Sequence, residues 1–410
     1  MPLTTLLFDL DDTLLGNDIN QFIQPYMTRF AEHMTPVTPP QKFLSGFMTG
    51  TREMIDNRDP RRTLQQRFAE QFYPIASAPA AALDPYIETF YAEKFGNLQN
   101  ETRIIPAARE TVGWAFDSKL QVAVATNALF PRTAILQRLD WAGVSAAEFP
   151  YALITTFEFM HFAKPRPEYY AETLAWLDCR PEEAMMIGND WSQDIAPAHE
   201  AGLRSFWVAA DLVAPPANTA HPVGRGSLAQ FLSWAKVNLN SVEPLPATPR
   251  SVRAAQAGAL AVIIESIRGL SEAEWVRRPS PKSWSLAEIV CHLRDGEIEV
   301  NLPRLKRILE EDNPFISAVA LDEWAQERNY QSQSGPEALE TFVKAREEKL
   351  AILDGHSPEA WKRPARHAVF GPTTLQELVA FTNEHDRLHL RQIRENLNKS
   401  QNPKPQSPML

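Results

Sequence analysis

The sequence has almost no cysteine: among 410 residues only Cys179 and Cys291 occur, 112 positions apart. That excludes a disulfide-stapled scaffold and points to a reducing, cytoplasmic setting. No run of about 18 apolar residues exists, so no membrane-spanning helix is expected. The first apolar run, Leu6-Leu-Phe, is cut short by Asp9 and reads neither as a secretory signal nor as an anchor. Basic charge is also short. Lys and Arg number 41 against 51 Asp and Glu, so nucleic acid is not an expected partner. Glycine is sparse at 16, and proline outnumbers it at 33, which favours helix starts and stiff loops. There is no internal repeat.

The length suits two or three folding units. Over the first 210 residues short apolar runs alternate with amphipathic helices. The runs are Thr5 to Phe8, Leu120 to Ala125, Tyr151 to Thr155, Ala184 to Ile187 and Ser205 to Val208. Continuous apolar strands separated by helices indicate a parallel sheet covered on both faces. Residues 17 to about 100 break that rhythm with helical patterns alone, as an insertion after the first strand would. Pro244, Pro246 and Pro249 mark a stiff linker over 241–250. Residues 1–240 then form one unit and residues 251–398, helical throughout, another. The tail, 399–410, reads as disordered.

The chemistry sits where strands end. Asp9 and Asp11 follow the first strand, Thr126 and Asn127 the second, Lys164 a later loop, and Asp190 and Asp194 the fourth strand. In open parallel sheets ligands bind at the carboxyl ends of strands. Neighbouring carboxylates call for a hard cation such as Mg²⁺. With a hydroxyl and an ammonium added, the set suits phosphoryl transfer.

Asp9-x-Asp11-x-Thr13, Thr126, Lys164 and Asp190-x-x-x-Asp194, in that order, resemble the haloacid-dehalogenase-like hydrolase superfamily. The resemblance covers residues 1 to about 240. It implies Asp9 as the nucleophile of an aspartyl-phosphate and Asp11 as general acid and base. Mg²⁺ would sit among Asp9, Asp11, Asp190 and Asp194, while Thr126, Asn127 and Lys164 would bind the phosphoryl group. A carboxylate at position 11 marks the phosphatase branch rather than the dehalogenase branch. The gap from Thr13 to Thr126 is long and that from Thr126 to Lys164 short, so the family's helical cap falls at about 17–100. Arg52, Arg58, Arg61, Arg62 and Arg67 on the cap either grip a second anion or form a solvated face, and the solvated face is the simpler reading.

The second unit holds four long amphipathic patterns, which suggests a helix bundle. His385 and His389, four apart on the last helix, share one face, and His292 lies on the second helix near the buried side. Three inward imidazoles can make an open metal site, the alternative being histidines satisfied within the core. Trp284 to Asp295 and Asn383 to Ile393 resemble the DinB/YfiT-like family, a match covering about 250–398. That resemblance implies a four-helix bundle with Zn²⁺ or Ni²⁺ on the three histidines, and thiol-transferase or hydrolase chemistry. The fold class expected for the whole chain is thus α/β plus all-α: a Rossmann-like parallel sheet with a helical cap, followed by a DinB-like four-helix bundle. The function expected is a phosphatase acting on a small phosphate ester. The alternatives are a main activity in the bundle, or a bundle that only binds ligand or forms a homodimer.

Overall fold

The computed structural model describes residues 2–209 and 220–398. The expected disordered tail, 399–410, lies outside the described residues. The chain divides into two compact units between Pro246 and Ala247.

The first unit is built on a six-stranded parallel sheet. Its spatial order is Leu153–Ile154, Gln121–Val124, Thr5–Phe8, Ala184–Gly188, Arg204–Val208, Gly224–Gly226. In chain order this reads 3-2-1-4-5-6, the doubly wound arrangement, and the winding reverses between Thr5–Phe8 and Ala184–Gly188. These two strands are buried along their whole length, which is why their apolar runs are unbroken. They pair with Phe8 opposite Ile187, so Asp9 and Gly188 leave the sheet side by side. The sixth strand was not expected. Gly-Arg-Gly has no apolar signal, and the strand exists because the edge of Arg204–Val208 is open to pairing.

Helices Ile19–Met34, Pro40–Asp56, Leu64–Ala76 and Ala80–Thr89, with tighter and wider turns to Glu101, follow the first strand. Asp18 caps the first of them, and Thr63 with Gln66 forms a capping box on the third. Their core is aromatic. Phe30 stacks on Phe90 at 4.0 Å, with Phe43, Tyr26 and Phe72 around them. The chain enters and leaves this insertion through one antiparallel ribbon, Leu15–Gly16 against Arg103–Ile104. Two backbone bonds dock it on the sheet layer: Leu64 N–H to Met160 O (2.8 Å) and Gln65 N–H to Phe157 O (2.9 Å).

The second unit has long helices Pro249–Ser266, Leu286–Asp295, Gly335–Asp354 and Leu375–Asn398. Leu286–Asp295 continues through a wide π-type turn, Gly296–Asn301, into Leu302–Glu310. Ser285 and Glu288 close a reciprocal cap on the second helix. The unit is not helical throughout. A three-stranded sheet, Phe315–Ile316, Pro364–His367 and Gly371–Thr374, covers one end of the bundle. Its strands are two to four residues long and two contain proline, so their alternation is too brief to read in advance. Among the described residues no helix is long and apolar enough to cross a membrane. Both cysteines are buried thiols.

Candidate active site and metal centre

The strand ends bring Asp9, Lys164 and Asp194 into one buried chain. Lys164 Nζ donates to Asp9 Oδ1 at 2.8 Å and to Asp194 Oδ1 at 2.6 Å. All three residues are nearly inaccessible. Burial alone would lower the Lys164 ammonium, but Asp194 and Asp9 outweigh it and hold it well above its ordinary value. Burial, then the charge on Asp9, push the Asp194 carboxyl up to about 7, against the pull of Lys164. Gly188 makes this packing possible, since a β-carbon there would overlap the Asp194 carboxyl group.

The surrounding residues fix the frame. Asn127 Oδ1 accepts from the Lys164 N–H (3.2 Å), and its Nδ2 donates to Gln193 Oε1 (3.1 Å). The carbonyl of Thr126 accepts from Tyr169 OH (2.6 Å) and Thr155 Oγ1 (2.8 Å). Asp190 turns its carboxylate onto its own turn, accepting from Ser192 N–H (2.7 Å) and Gln193 N–H (3.0 Å), while its own N–H donates to Asp194 Oδ2 (3.0 Å). Asp11 stands apart from the lysine chain. Its Oδ1 accepts from Asn17 Nδ2 (2.7 Å) and from Arg138 Nη2.

Arg138 is the residue that sequence reading missed. It is fully buried, on helix Arg132–Trp141, with its guanidinium over the rings of Phe22 (5.8 Å) and Phe130 (5.2 Å). Burial lowers it to about 10, and Asp9 works against that shift. The available signal was its position: Ile135, Arg138 and Leu139 form one apolar stripe, where an arginine is out of place. Among the described residues, Lys164 pairs with Asp9 and Asp194, and Arg138 with Asp11. The four acids outnumber these two cations, and a surplus of carboxylate oxygens fits a hard divalent cation. Two of the insertion's arginines are engaged locally: Arg67 pairs with Glu53 and Glu70, and Arg62 with Glu70.

In the second unit the three histidines meet. His292 comes from Leu286–Asp295, and His385 and His389 from Leu375–Asn398. His385 Nε2 lies 3.0 Å from His292 Nε2 and 3.1 Å from His389 Nε2. On a tetrahedral cation with bonds of about 2.0–2.1 Å, two nitrogen ligands sit roughly 3.3 Å apart. The cluster is therefore close to the size a metal requires. His389 Nδ1 hydrogen-bonds Gln392 Oε1 (2.9 Å), so its Nε2 carries the lone pair that faces the other rings. Burial, then the neighbouring imidazoles, push His292 and His385 down to about 3, and burial lowers His389 as well. All three are thus held neutral, the form that binds metal. Trp284 lies parallel to the His389 ring at 6.2 Å.

Two acidic residues on the ligand-bearing stretches are held by arginines. Glu297 is fully buried and bound by Arg346 through Nε (2.6 Å) and Nη2 (3.2 Å). Glu384 is exposed and pairs with Arg387 (3.0 Å).

The chain matches two family models. Residues 6–208 match the haloacid dehalogenase-like hydrolase model, and residues 258–393 match the DinB superfamily model. The chain joins a haloacid dehalogenase-like hydrolase to a DinB-superfamily bundle. Its hydrolase part is 26% identical over 212 residues to the ribulose-1,5-bisphosphate 5-phosphatase of Halopiger xanaduensis, covering 49% of this chain and 83% of that protein. It is 23% identical over 210 residues to the pyrophosphatase PpaX of Anoxybacillus flavithermus, covering 51% of this chain and 85% of that protein. Its bundle is 26% identical over 141 residues to the uncharacterized protein YuaE of Bacillus subtilis, covering 32% and 86%. The hydrolase and the bundle thus each resemble a protein that lacks the other.

Proposed function

We propose that the hydrolase unit is a Mg²⁺-dependent phosphatase of small phosphate monoesters that works through an aspartyl-phosphate. The observation that carries this reading is the buried Asp9–Lys164–Asp194 chain at the point where the sheet winding reverses. Asp9 attacks phosphorus, and the leaving oxygen departs with a proton from Asp11. Water then cleaves the acyl-phosphate, giving its proton back to Asp11, so that Asp9 and inorganic phosphate are restored. Lys164 holds Asp9 in place and neutralises phosphoryl oxygens, while Arg138 and Asn17 hold Asp11. Thr126 and Asn127 complete the phosphoryl pocket. When bound, Mg²⁺ on Asp9, Asp11, Asp190 and Asp194 supplies charge neutralisation for the phosphoryl group. The helical insertion serves as a cap that excludes water and selects the ester. One relative is named as a phosphatase of a sugar bisphosphate and another as a pyrophosphatase, and the first of these supports a phosphorylated metabolite as substrate.

The test is Asp9→Asn assayed with a panel of phosphorylated metabolites. An amide cannot form the acyl-phosphate, so phosphate release should vanish while the melting profile is kept. Release at the rate of the unmodified chain would refute the assignment.

A second site is proposed on a separate observation, the Nε2 cluster of His292, His385 and His389. It holds one divalent transition ion, Zn²⁺ or Ni²⁺, with a coordination position left for a ligand. The bundle then has metal-dependent hydrolase or thiol-transferase chemistry of its own. Elemental analysis of the full chain tests this directly, since a chain that stays free of Zn²⁺ and Ni²⁺ after supplementation has no such site.

A further inference from the structure

A cavity of about 350 Å³ opens beside His385 in the bundle. Its body is apolar, formed by Leu305, Ile308, Val379 and the stacked rings of Phe370 and Phe381, 3.8 Å apart. Phe370 and Phe381 are about half exposed at its mouth. The charged and imidazole groups that reach it are Arg304, His367, Lys349 and His385, and among the described residues no carboxylate lines it.

His367 decides what the cavity asks for. The residue is 6% exposed, and Nδ1 accepts the backbone N–H groups of Val369 (3.2 Å) and Phe370 (3.4 Å). Nδ1 is therefore unprotonated, and the proton sits on Nε2. That Nε2–H is buried with no hydrogen-bond partner, an arrangement that costs stability unless an acceptor arrives. Arg304 sits close enough to weigh on the His367 ring, and its Nη2 donates to Ser317 O (2.6 Å). A guanidinium and an imidazole N–H thus line an apolar chamber that also reaches His385.

We propose that this cavity binds a small organic acid with an apolar body, its carboxylate held by Arg304 and His367 and its tail lying along Phe370 and Phe381. The inference goes beyond the metal reading and does not need an ion, because the acid's head group lies on residues outside the histidine cluster. A second ligand group extending from the tail would reach His385, which makes the acid a natural substrate or inhibitor of whatever chemistry that site performs.

The test is calorimetric titration of the full chain, stripped of metal with a chelator, using 3-phenylpropionate and hexanoate as probes. The neutral counterparts are 3-phenylpropanol and hexanol. Both acids should bind, and each alcohol should bind at least about tenfold more weakly, the usual worth of a charge-assisted hydrogen bond. Arg304→Met should weaken the acids by a similar factor and leave the alcohols unchanged. His367→Phe, which keeps the ring, should also weaken the acids. Equal binding of acids and alcohols would overturn the proposal, as would undiminished acid binding in Arg304→Met, or failure of both acids to bind. Acid binding that appears only after Zn²⁺ is restored and ignores Arg304 would place the carboxylate on the ion, which overturns this proposal while supporting the metal site.

Discussion

Replacing Arg346 with methionine should unfold the bundle before it touches the hydrolase. Arg346 is 1% exposed and holds two buried carboxylates. Besides Glu297, it binds Asp386 through Nη1 (2.6 Å) and Nη2 (3.1 Å). Lys349 lies 3.2 Å from Glu297, so two cations and two anions balance. This cluster ties Gly296–Asn301, Gly335–Asp354 and Leu375–Asn398 together. Arg346→Met fills a similar volume but leaves one negative charge uncompensated, a loss of about 3–5 kcal/mol for a broken buried pair. At about 2–4 °C per kcal/mol for a unit of this size, the calorimetric transition of the bundle should fall by roughly 6–20 °C at pH 7. The pH dependence has a definite sign. Burial alone would raise Glu297, but Arg346 and then Lys349 outweigh it and hold it at about 2, against 4.5 for a free glutamate. Its contribution is therefore present above about 4.5 and lost as pH falls towards 2. In the variant that protection is weakened, Glu297 takes up its proton at higher pH, and the gap to the unmodified protein should narrow on acidification. A melting temperature unchanged at pH 7, or a gap that widens with acid, would refute the reasoning.

Asp11→Asn should slow phosphate release by about 10²–10⁴-fold while preserving burst formation of the aspartyl-phosphate with activated esters, which rapid-quench kinetics would resolve. Gly188→Ala should force the Asp194 carboxyl group off Lys164, costing about 1–3 kcal/mol by overpacking and at least tenfold in turnover, measured by calorimetry and phosphate release. His389→Ala should remove the transition metal detected by elemental analysis and leave phosphate release intact, because the proposed Mg²⁺ site uses oxygen donors in the other unit.

Much of the architecture was legible because its signals are local. The buried strands are unbroken apolar runs, and Asp9, Thr126 and Asp190 were found simply as the polar residues that end them. The short edge strands at Gly224–Gly226 and Phe315–Ile316 were not, because a two- or three-residue edge strand is made by its neighbour's open hydrogen-bonding groups rather than by its own side chains. Nor were Arg138 and Arg346. Each lies on an apolar helical stripe, Arg346 four residues after Phe342 and four before Leu350, yet a basic residue on a helix is ordinarily solvated. What buries them is a partner carboxylate from a distant segment, Asp11 for one and Glu297 with Asp386 for the other, and no window of sequence contains both halves.

The two rings over Arg138 belong to different parts of the first unit. Phe22 rides on the first helix of the insertion, and Phe130 is anchored beside the sheet. Any swing of the insertion about its ribbon at Leu15–Gly16 and Arg103–Ile104 carries one ring away and leaves the other behind. Rehydration of the guanidinium is then part of the same motion. The charge that positions the Asp11 carboxylate is strongest with the insertion seated and screened by water once it lifts, so under the proposed mechanism Asp11 would be firmly oriented only after the insertion has closed.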